Sequence, residues 1–381
     1  MIILQQPSKI VFGLNVTNHI AEDDIIITAD KILFLIAEPV EILFQSIINK
    51  LIGKGKDIKT EIYRYPGEPT FSQFDELLQK SVDYNPDCII GVGGGSVLDS
   101  AKLLAAMTGN EQKYTEVTGV GLLKKRMKKL ICIPTTSGTG SEVSPIAILL
   151  NEKTDSKSGI VSQALLADAA YIDPVLTKGL PPKFTAETGI DALCHCIEAF
   201  TNKFAHPAVD LYALEGIRLI SENLLRAYKD GNDMDARSAM SLGSMYGGLC
   251  LGPVNTHAVH CLSYGLGGKF HISHGLANAM LLPAVLRFNL EANPARHAAV
   301  ALAMGIQFTK DDITTALLGI EKIEKISKQC GIPDNLNVLG VKDSDIEALA
   351  DIAMGVTRLL KNNPRELTKV DAIQIYQSLL K

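Results

Sequence analysis

Apolar residues follow two different patterns along this chain, and the change comes near residue 182. Before that point, short apolar runs alternate with segments in which apolar residues recur at helical spacing. The runs predict strands at 31–36, 58–65, 88–93, 129–133 and 143–150, and the intervening segments predict helices at 40–51, 71–84 and 97–107. Strands that alternate with helices in this way are typical of a doubly wound α/β sheet.

After Pro181-Pro182 the pattern of apolar residues is almost entirely helical. Helices are predicted at 186–202, 207–228, 235–250, 276–288, 294–304, 314–329, 343–354 and 369–380. A chain of 381 residues fits two domains. We therefore expect an α/β domain over residues 1–182 and an all-helical domain over residues 183–381.

Composition narrows the class of protein. No apolar run reaches the ~18–20 residues that span a bilayer, and the first residues lack the basic segment of a signal peptide. Seven cysteines without framework spacing suit a reducing compartment, so we expect a cytoplasmic protein. A net charge of −5 argues against nucleic acid as a partner. The one basic run, 124–129, is interpreted as a solvated loop.

A glycine-rich turn joins the third predicted strand to its helix. Gly93, Gly94 and Gly95 allow backbone to approach a phosphate closely, and the N-terminus of the following helix attracts an anion. Ser96 and Asp99 have the spacing of a capping box. The pattern differs from the usual dinucleotide fingerprint, because Ser96 occupies the last glycine position. Phosphate binding is favoured over a plain tight turn.

Three more features extend this candidate nucleotide site. Glu38 follows the strand 31–36, where a carboxylate can accept hydrogen bonds from a ribose; a solvated loop carboxylate is the alternative. Residues 134–142 are dense in hydroxyls and glycines, which favours a second cradle around a cofactor over a flexible loop. Residues 151–158 are expected to form a polar turn, with Lys157 near its end.

A histidine-rich stretch carries the strongest candidate chemistry. Asp191 and His195 are spaced i, i+4 and share one face of a helix, so they can bind one divalent metal. Four of the eight histidines fall between residues 257 and 274, and two of them could complete the site. Any single histidine is more often a core or surface residue, and spacing alone does not choose among these four. Cys194 and Cys196 point away from that face and are interpreted as packing residues.

With these residues identified, the chain resembles the iron-containing (group III) alcohol dehydrogenase family almost from end to end. The shared motifs are Phe12-Gly13, Gly67-Glu68-Pro69-Thr70, Gly93-Gly94-Gly95-Ser96 with Asp99 and Lys102, the stretch 135–142, the stretch 188–195, Ser273-His274-Gly275 with Asn278, and Asn363-Pro364-Arg365. Together they are highly specific. The resemblance implies a dinucleotide-binding α/β N-terminal domain and an all-α C-terminal metal-binding and substrate domain, with metal and nicotinamide meeting in the cleft between them.

The resemblance also implies a function and a set of site residues. The protein would be an NAD(H)-dependent oxidoreductase acting on a small alcohol, aldehyde or ketone, with one divalent metal; Fe²⁺ is expected and Zn²⁺ is the alternative. The metal ligands carried over are Asp191, His195, His260 and His274. The cofactor-binding residues carried over are Glu38, Gly94, Gly95, Ser96, Asp99, Thr135, Thr136, Ser144, Ile146 and Lys157.

Two positions depart from the family pattern. Many members carry a second histidine four residues after the third ligand, and this chain has Tyr264 there. Gly265 stands where proline is common. Tyr264 could shape the substrate pocket while protons leave by water or through His271, or it could carry the proton itself; the first reading is favoured because the metal already supplies acidity.

Two other functions, a lyase and a non-catalytic binding module, agree less well with the sequence. A lyase resembling dehydroquinate synthase would need a cluster of cations for a phosphosugar, and the motif regions offer only Lys102, Lys157 and Lys269. A non-catalytic NAD- or metal-binding module would have no need for all four ligands. The expected partners are a small-molecule substrate and a second copy of the chain in a homodimer, without nucleic acid or membrane.

Overall fold

The computed structural model describes residues 1–153 and 156–380. They divide into two compact units. The α/β unit consists of Leu4–Thr136 and Gly140–Lys178, and the helical unit consists of Met1–Ile3, Ser137–Thr139 and the chain from Gly179 onward. The chain from residue 179 onward thus belongs to the helical unit, as do two earlier segments of three residues each.

Two sheets form the strand part of the α/β unit in the described residues. The six strands of the larger sheet are parallel and lie in the order β1-β9-β6-β4-β2-β3. The smaller sheet has the order β5-β8-β7. The strands are β1 Lys9–Phe12, β2 Lys31–Ala37, β3 Asp57–Tyr63, β4 Cys88–Gly93, β5 Gly119–Val120, β6 Lys129–Pro134, β7 Ile146–Asn151, β8 Ser156–Val161 and β9 Ala169–Ile172. The larger sheet confirms the doubly wound arrangement, with β2 and β4 as buried neighbours.

Four helices accompany these strands: α1 Asp24–Thr28, α2 Glu41–Gly53, α3 Phe71–Tyr84 and α4 Gly95–Met107. The bounds of α3 match the prediction, because Thr70 and Gln73 form a capping box at its start and Asn85 ends it in the left-handed conformation. Helix α2 begins one residue later than predicted, because residues 38–40 form a short 3₁₀ turn.

The predicted strand 143–150 and the polar turn after it need correction. Residues 141–143 form a 3₁₀ turn, so β7 begins only at Ile146. The turn is shorter than predicted, and Lys157 lies within β8. Residues 154 and 155 of that turn lie outside the described residues. Strands β1, β5 and β9 were not predicted; each has four residues or fewer, too short for a clear apolar pattern.

The helical unit contains the remaining helices of the described chain. They are α5 Pro182–Thr201, α6 Pro207–Lys229, α7 Met234–Leu251, α8 Ala258–Phe270, α9 His274–Asn289, α10 Pro294–Ala303, α11 Asp312–Gln329, α12 Ile346–Gly355, α13 Thr357–Leu360 and α14 Lys369–Ser378. Helix α5 lies at the centre, and all of its residues from Thr185 onward are buried except Thr188. Helix α8 is absent from the predicted set, since three glycines lower its helix propensity. A Cβ on one of them, Gly265, would lie 2.8 Å from the Cδ2 atom of Leu349 on α12, so that side chain would have to shift.

All seven cysteines are free and buried. Cys88 and Cys132 lie in the α/β unit, and the other five lie in the helical unit. Among the described residues, no helix combines the length and the apolar character required to cross a membrane.

Candidate active site

Helix α5 supplies the first two predicted metal ligands. Asp191 and His195 lie one turn apart and are both buried. The His195 Nε2 atom lies 3.8 Å from Asp191 Oδ1. The pair therefore faces one point in the interior of the helical unit, as their spacing predicts.

Helices α8 and α9 bring two more histidines to this point. The Nε2 atoms of His260 and His274 lie 3.6 Å and 3.8 Å from the same Asp191 Oδ1. Donor atoms around a tetrahedral metal with bonds of ~2.0–2.2 Å are separated by ~3.3–3.6 Å. The donor atoms of Asp191, His195 and His260 lie within 4.8 Å of one another. His274 is the most open of the four, with 26% of its side chain exposed. The donor set and its spacing fit one divalent ion.

The electrostatics of this metal cluster (Asp191, His195, His260 and His274) also suit a cation. Burial alone would raise the pKa of Asp191, but the neighbouring imidazoles outweigh it and hold the pKa well below its usual range. Burial lowers the pKa of His195. At His260 burial is outweighed by the Glu198 and Asp191 carboxylates, which raise its pKa to about 9. The aspartate therefore stays anionic and ready to bind an ion.

Asn278 lies beside the cluster, one turn after His274 on α9. Its Nδ2 atom donates to Asp191 Oδ1 at 2.7 Å and lies 3.1 Å and 3.2 Å from the Nε2 atoms of His260 and His274. Its Oδ1 atom is buried and finds no hydrogen-bond partner among the described residues. A buried oxygen without a partner is rare, and a bound ion or a solvent donor beside it would satisfy it.

The start of α9 is held against α5 by three residues. The Ser273 hydroxyl donates to the carboxylate of Glu187 at 2.6 Å. A Cβ on Gly275 would lie 2.5 Å from the Glu187 carbonyl oxygen, so only glycine fits there. These contacts fix the helix end that carries His274.

The other two histidines of the histidine-rich stretch, His257 and His271, lie outside the metal cluster. His257 is fully buried at the N-terminus of α8, with its ring against Glu198 and Thr201. His271 is exposed at the C-terminal end of α8, where its φ of 54° is left-handed. Neither ring joins the four ligand atoms, in agreement with the set that the resemblance implies.

Tyr264 follows His260 by one turn of α8 and is partly buried. Arg358 Nη2 donates to its phenolic oxygen at 3.3 Å. A cationic donor on that oxygen fixes the ring and occupies one acceptor site.

In the α/β unit, the glycine-rich turn leads into helix α4, and Gly94 is the residue directly before that helix. It is the N-cap residue of α4 and lacks a side-chain cap, so the first N–H groups of the helix are open to an anion. The predicted capping box is wrong: Ser96 lies inside the helix, and its hydroxyl donates to the Gly67 carbonyl at 2.6 Å. Thr136 lies close by, 3.4 Å from the position of a Cβ on Gly94. This arrangement fits a pyrophosphate.

Asp99 and Lys102 hold the second loop in place. Asp99 accepts hydrogen bonds from the Ser141 hydroxyl at 2.5 Å and from the Ile148 N–H at 2.9 Å. Lys102 is fully buried; its ammonium donates to the carbonyls of Ser141, Ser144 and Ile146 and lies 3.2 Å from Asp99. The Asp99 carboxylate is therefore engaged by protein groups, which suits the positioning of the loop better than contact with a cofactor.

The other predicted cofactor residues lie around these loops. Glu38 follows β2 and pairs with Arg64, whose Nε donates to it at 2.8 Å; both side chains are more than half exposed. Lys157 forms an ion pair with Glu68. Thr135 and Ser144 are buried, while Thr136 and Ile146 are partly exposed.

Sequence reasoning gave no role to four residues that support these sites, and only Asn278 among them appeared in a family motif: Glu198, Asn278, Glu187 and Arg64. Glu198 follows Asp191 by seven residues and Asn278 follows His274 by four, which are helical spacings that place them on the ligand faces. Glu187 precedes Asp191 by one turn. Only the pairing of β2 with β3 indicates Arg64, because it brings the ends of those strands together.

The family models and the known proteins that match this chain cover nearly all of it and belong to one family. The model of the iron-containing alcohol dehydrogenase family matches residues 7–174, and that of the family's C-terminal domain matches residues 185–380. Long-chain-alcohol dehydrogenase 1 of Geobacillus thermodenitrificans is 39% identical over 82% of this chain and 79% of its own. The 1,3-propanediol dehydrogenase of Citrobacter freundii is 32% identical over 97% of both chains. A crystal structure of 1,3-propanediol oxidoreductase superposes with a TM-score of 0.93, at 31% identity and over all of both chains.

Proposed function

Because the chain belongs to the iron-containing alcohol dehydrogenase family, we propose that Asp191, His195, His260 and His274 are its metal ligands. It is an oxidoreductase that transfers a hydride between NAD(H) and an alcohol or carbonyl substrate, with a divalent metal. The observation that carries the ligand assignment is the convergence of three imidazoles on one oxygen of Asp191. When bound, the metal supplies Lewis acidity at the substrate oxygen and the dinucleotide supplies or accepts the hydride.

The protein's own residues then bind and orient these groups. Asp191 contributes the negative charge of the site, and its low pKa keeps that charge at neutral pH. Asn278 holds the orientation of the Asp191 carboxylate through its amide. Gly94, Gly95 and Ser96 receive the pyrophosphate at the N-terminus of α4, and the Asp99–Lys102 pair holds the neighbouring loop of Thr135, Thr136, Ser144 and Ile146. Lys157, tied to Glu68, lines the nucleotide.

Cofactor choice provides a first prediction. Glu38 should accept the ribose hydroxyls and repel a 2′-phosphate, which gives a preference for NAD(H) over NADP(H). In Glu38→Gly, Arg64 loses its ion-pair partner and becomes available to the 2′-phosphate. We expect the NAD/NADP ratio of kcat/KM to fall on the order of fivefold, the upper end for exposed charges.

The matched control for Glu38→Gly is Glu41→Gln, which removes the same charge from the start of α2. It should leave the ratio unchanged. Equal kcat/KM for NAD and NADP in the parent enzyme would contradict the role of Glu38.

Tyr264 provides a second prediction. We propose that it shapes the substrate pocket, because its oxygen is held by Arg358 and a phenol is a poor proton acceptor at neutral pH. Protons would then leave by water or through the exposed His271. Tyr264→Phe should keep kcat within about tenfold of the parent and leave its pH profile unchanged. A hundredfold loss with a missing limb in that profile would instead assign the proton to the phenol.

The substrate class can be tested directly. The relatives are named for long-chain alcohols and for 1,3-propanediol. A panel of primary alcohols and aldehydes of increasing length therefore tests the proposed substrate class. Turnover would be followed by NADH absorbance on protein loaded with Fe²⁺ or Zn²⁺ and with its metal content measured. Absence of turnover with every member on metal-loaded protein would contradict the proposed small alcohol or aldehyde substrate.

We also propose a cytoplasmic location and a homodimer. The location rests on the seven unpaired thiols, which suit a reducing compartment. The dimer rests on the general preference of soluble oligomers for twofold-symmetric assemblies. Light scattering would measure the molecular mass of the assembly.

A further inference from the structure

Glu198 is a fully buried carboxylate that faces the start of α8. Its Oε2 atom lies 2.5 Å from Nδ1 of His260, and its Oε1 atom accepts the backbone N–H of Val259 at 2.7 Å. The ring of His257 lies 2.9 Å from the same Oε1 atom. One carboxylate on α5 therefore contacts three residues at the start of α8: His257, Val259 and His260.

These contacts decide which nitrogen of His260 carries a proton. A carboxylate accepts hydrogen bonds, so Nδ1 of His260 donates to Glu198. Nε2 is then the nitrogen that gives up its proton to an incoming metal, and this is the atom that lies 3.6 Å from Asp191 Oδ1. The ring is thus held in the tautomer and the orientation that a metal ligand requires.

His257 supports this arrangement from the other side. Thr201 donates its hydroxyl proton to the Ile197 carbonyl at 2.8 Å, so its oxygen is free to accept the Nε2–H of His257 at 3.0 Å. The ring of His257 is thereby fixed to α5 and covers Glu198. This contact explains why a histidine outside the ligand set is completely buried.

We propose that Glu198, backed by His257, is the positioning residue of the metal centre: it fixes His260 so that metal is retained. The inference rests on the proposed ligand set and extends it to residues that do not touch the metal. Outer carboxylates of this kind typically change metal affinity by ~10–100-fold.

Cys194 defines the competing interpretation, a second metal site made of Cys194, Glu198 and His260. Its sulfur lies 3.9 Å from Nδ1 of His260. Nδ1 of His260 is already engaged by the Glu198 carboxylate at 2.5 Å, a much closer contact than the one to the sulfur. The cluster is therefore better explained as support for one site.

The test measures metal retention rather than turnover. Zinc-loaded Glu198→Gln is mixed with a chromogenic chelator, and the rate of metal release is compared with that of the parent. We expect release to accelerate by ~10–100-fold. The absorption spectrum of the cobalt-substituted variant should also change, because the His260 ring is no longer held. Circular dichroism of the metal-free proteins establishes that both are folded.

Cys194→Ala is the matched control, since it alters the other neighbour of His260 Nδ1 on the same helix. It should release zinc at the parental rate, and accelerated release would favour the second-site interpretation and overturn ours. Parental release and an unchanged cobalt spectrum in Glu198→Gln would overturn it as well.

If Glu198→Gln fails to fold, His257→Asn replaces it, because asparagine can still cap α8. Faster release is expected there too, and a parental rate would refute the proposal. Failure of the proposed ligand set would show itself differently: the parent protein would retain no zinc at this site.

Discussion

We expect the single substitution His195→Ala to leave the protein without bound metal and without measurable dehydrogenase activity. His195 places a ring nitrogen within 4.8 Å of the donor atoms of Asp191 and His260, and alanine removes this ligand and opens the position to water. The loss of activity should exceed the ~100-fold typical of losing a residue that only supports a ligand. Metal analysis and steady-state kinetics on the purified variant provide the measurement.

The same outcome is expected for Asp191→Ala, His260→Ala and His274→Ala, with the fold retained by circular dichroism. His257→Ala serves as the control, because its ring is tied to Glu198 and Thr201 rather than to the cluster. It should be purified with its metal, although it will release that metal faster to a chelator. A result in which His257 is essential and His260 dispensable would reject the ligand assignment.

The second large effect is expected from Gly275→Ala. The added Cβ would lie 2.5 Å from the carbonyl oxygen and 2.8 Å from the carbonyl carbon of Glu187. Both are backbone atoms of α5, so no side chain can move aside. The start of α9 must retreat by roughly 1 Å to reach ordinary van der Waals contact, and His274 moves with it.

A displacement of that size typically costs on the order of a hundredfold in rate, so kcat/KM should fall at least that far and metal should be released faster. Gly355→Ala is the matched control, because a Cβ there meets nothing within 4 Å. That variant should keep full activity and gain slightly in stability from better helix propensity. Parental kinetics in Gly275→Ala would show that the contact between α9 and α5 does not fix His274.

The sequence predicted those parts of the fold and site that depend on local signals. Helix α3 carries its own start and stop signals in Thr70, Gln73 and Asn85, and its bounds were predicted to the residue. The shared helix face of Asp191 and His195 was likewise predicted from their spacing of four residues alone. By contrast, α8 contains three glycines and depends on packing, as Gly265 against Leu349 illustrates, so local propensity gave no prediction of it.

Tertiary contacts decided what local signals could not. Spacing left four histidines open, because the choice among them depends on how α8 and α9 pack on α5, which only the family resemblance supplied. Ser96 had the spacing of an N-cap, yet its hydroxyl bonds to Gly67, which is distant in sequence. Glu198 was overlooked for the same reason: its partners His260 and Val259 belong to another helix.

Because every thiol is buried, we expect this protein to react slowly with sulfhydryl reagents. Besides being inaccessible, these cysteines are weak acids; burial raises the pKa of Cys132 to about 12 and that of Cys330 to about 11. A single cysteine engineered on the surface can therefore carry a fluorophore or spin label without prior removal of the native ones. The native thiols then become reporters of opening, because modification at Cys88 and Cys132 registers fluctuations of the α/β unit and modification at the other five registers those of the helical unit. Mass spectrometry of labelled peptides would thus rank the local stability of the two units in one untagged sample.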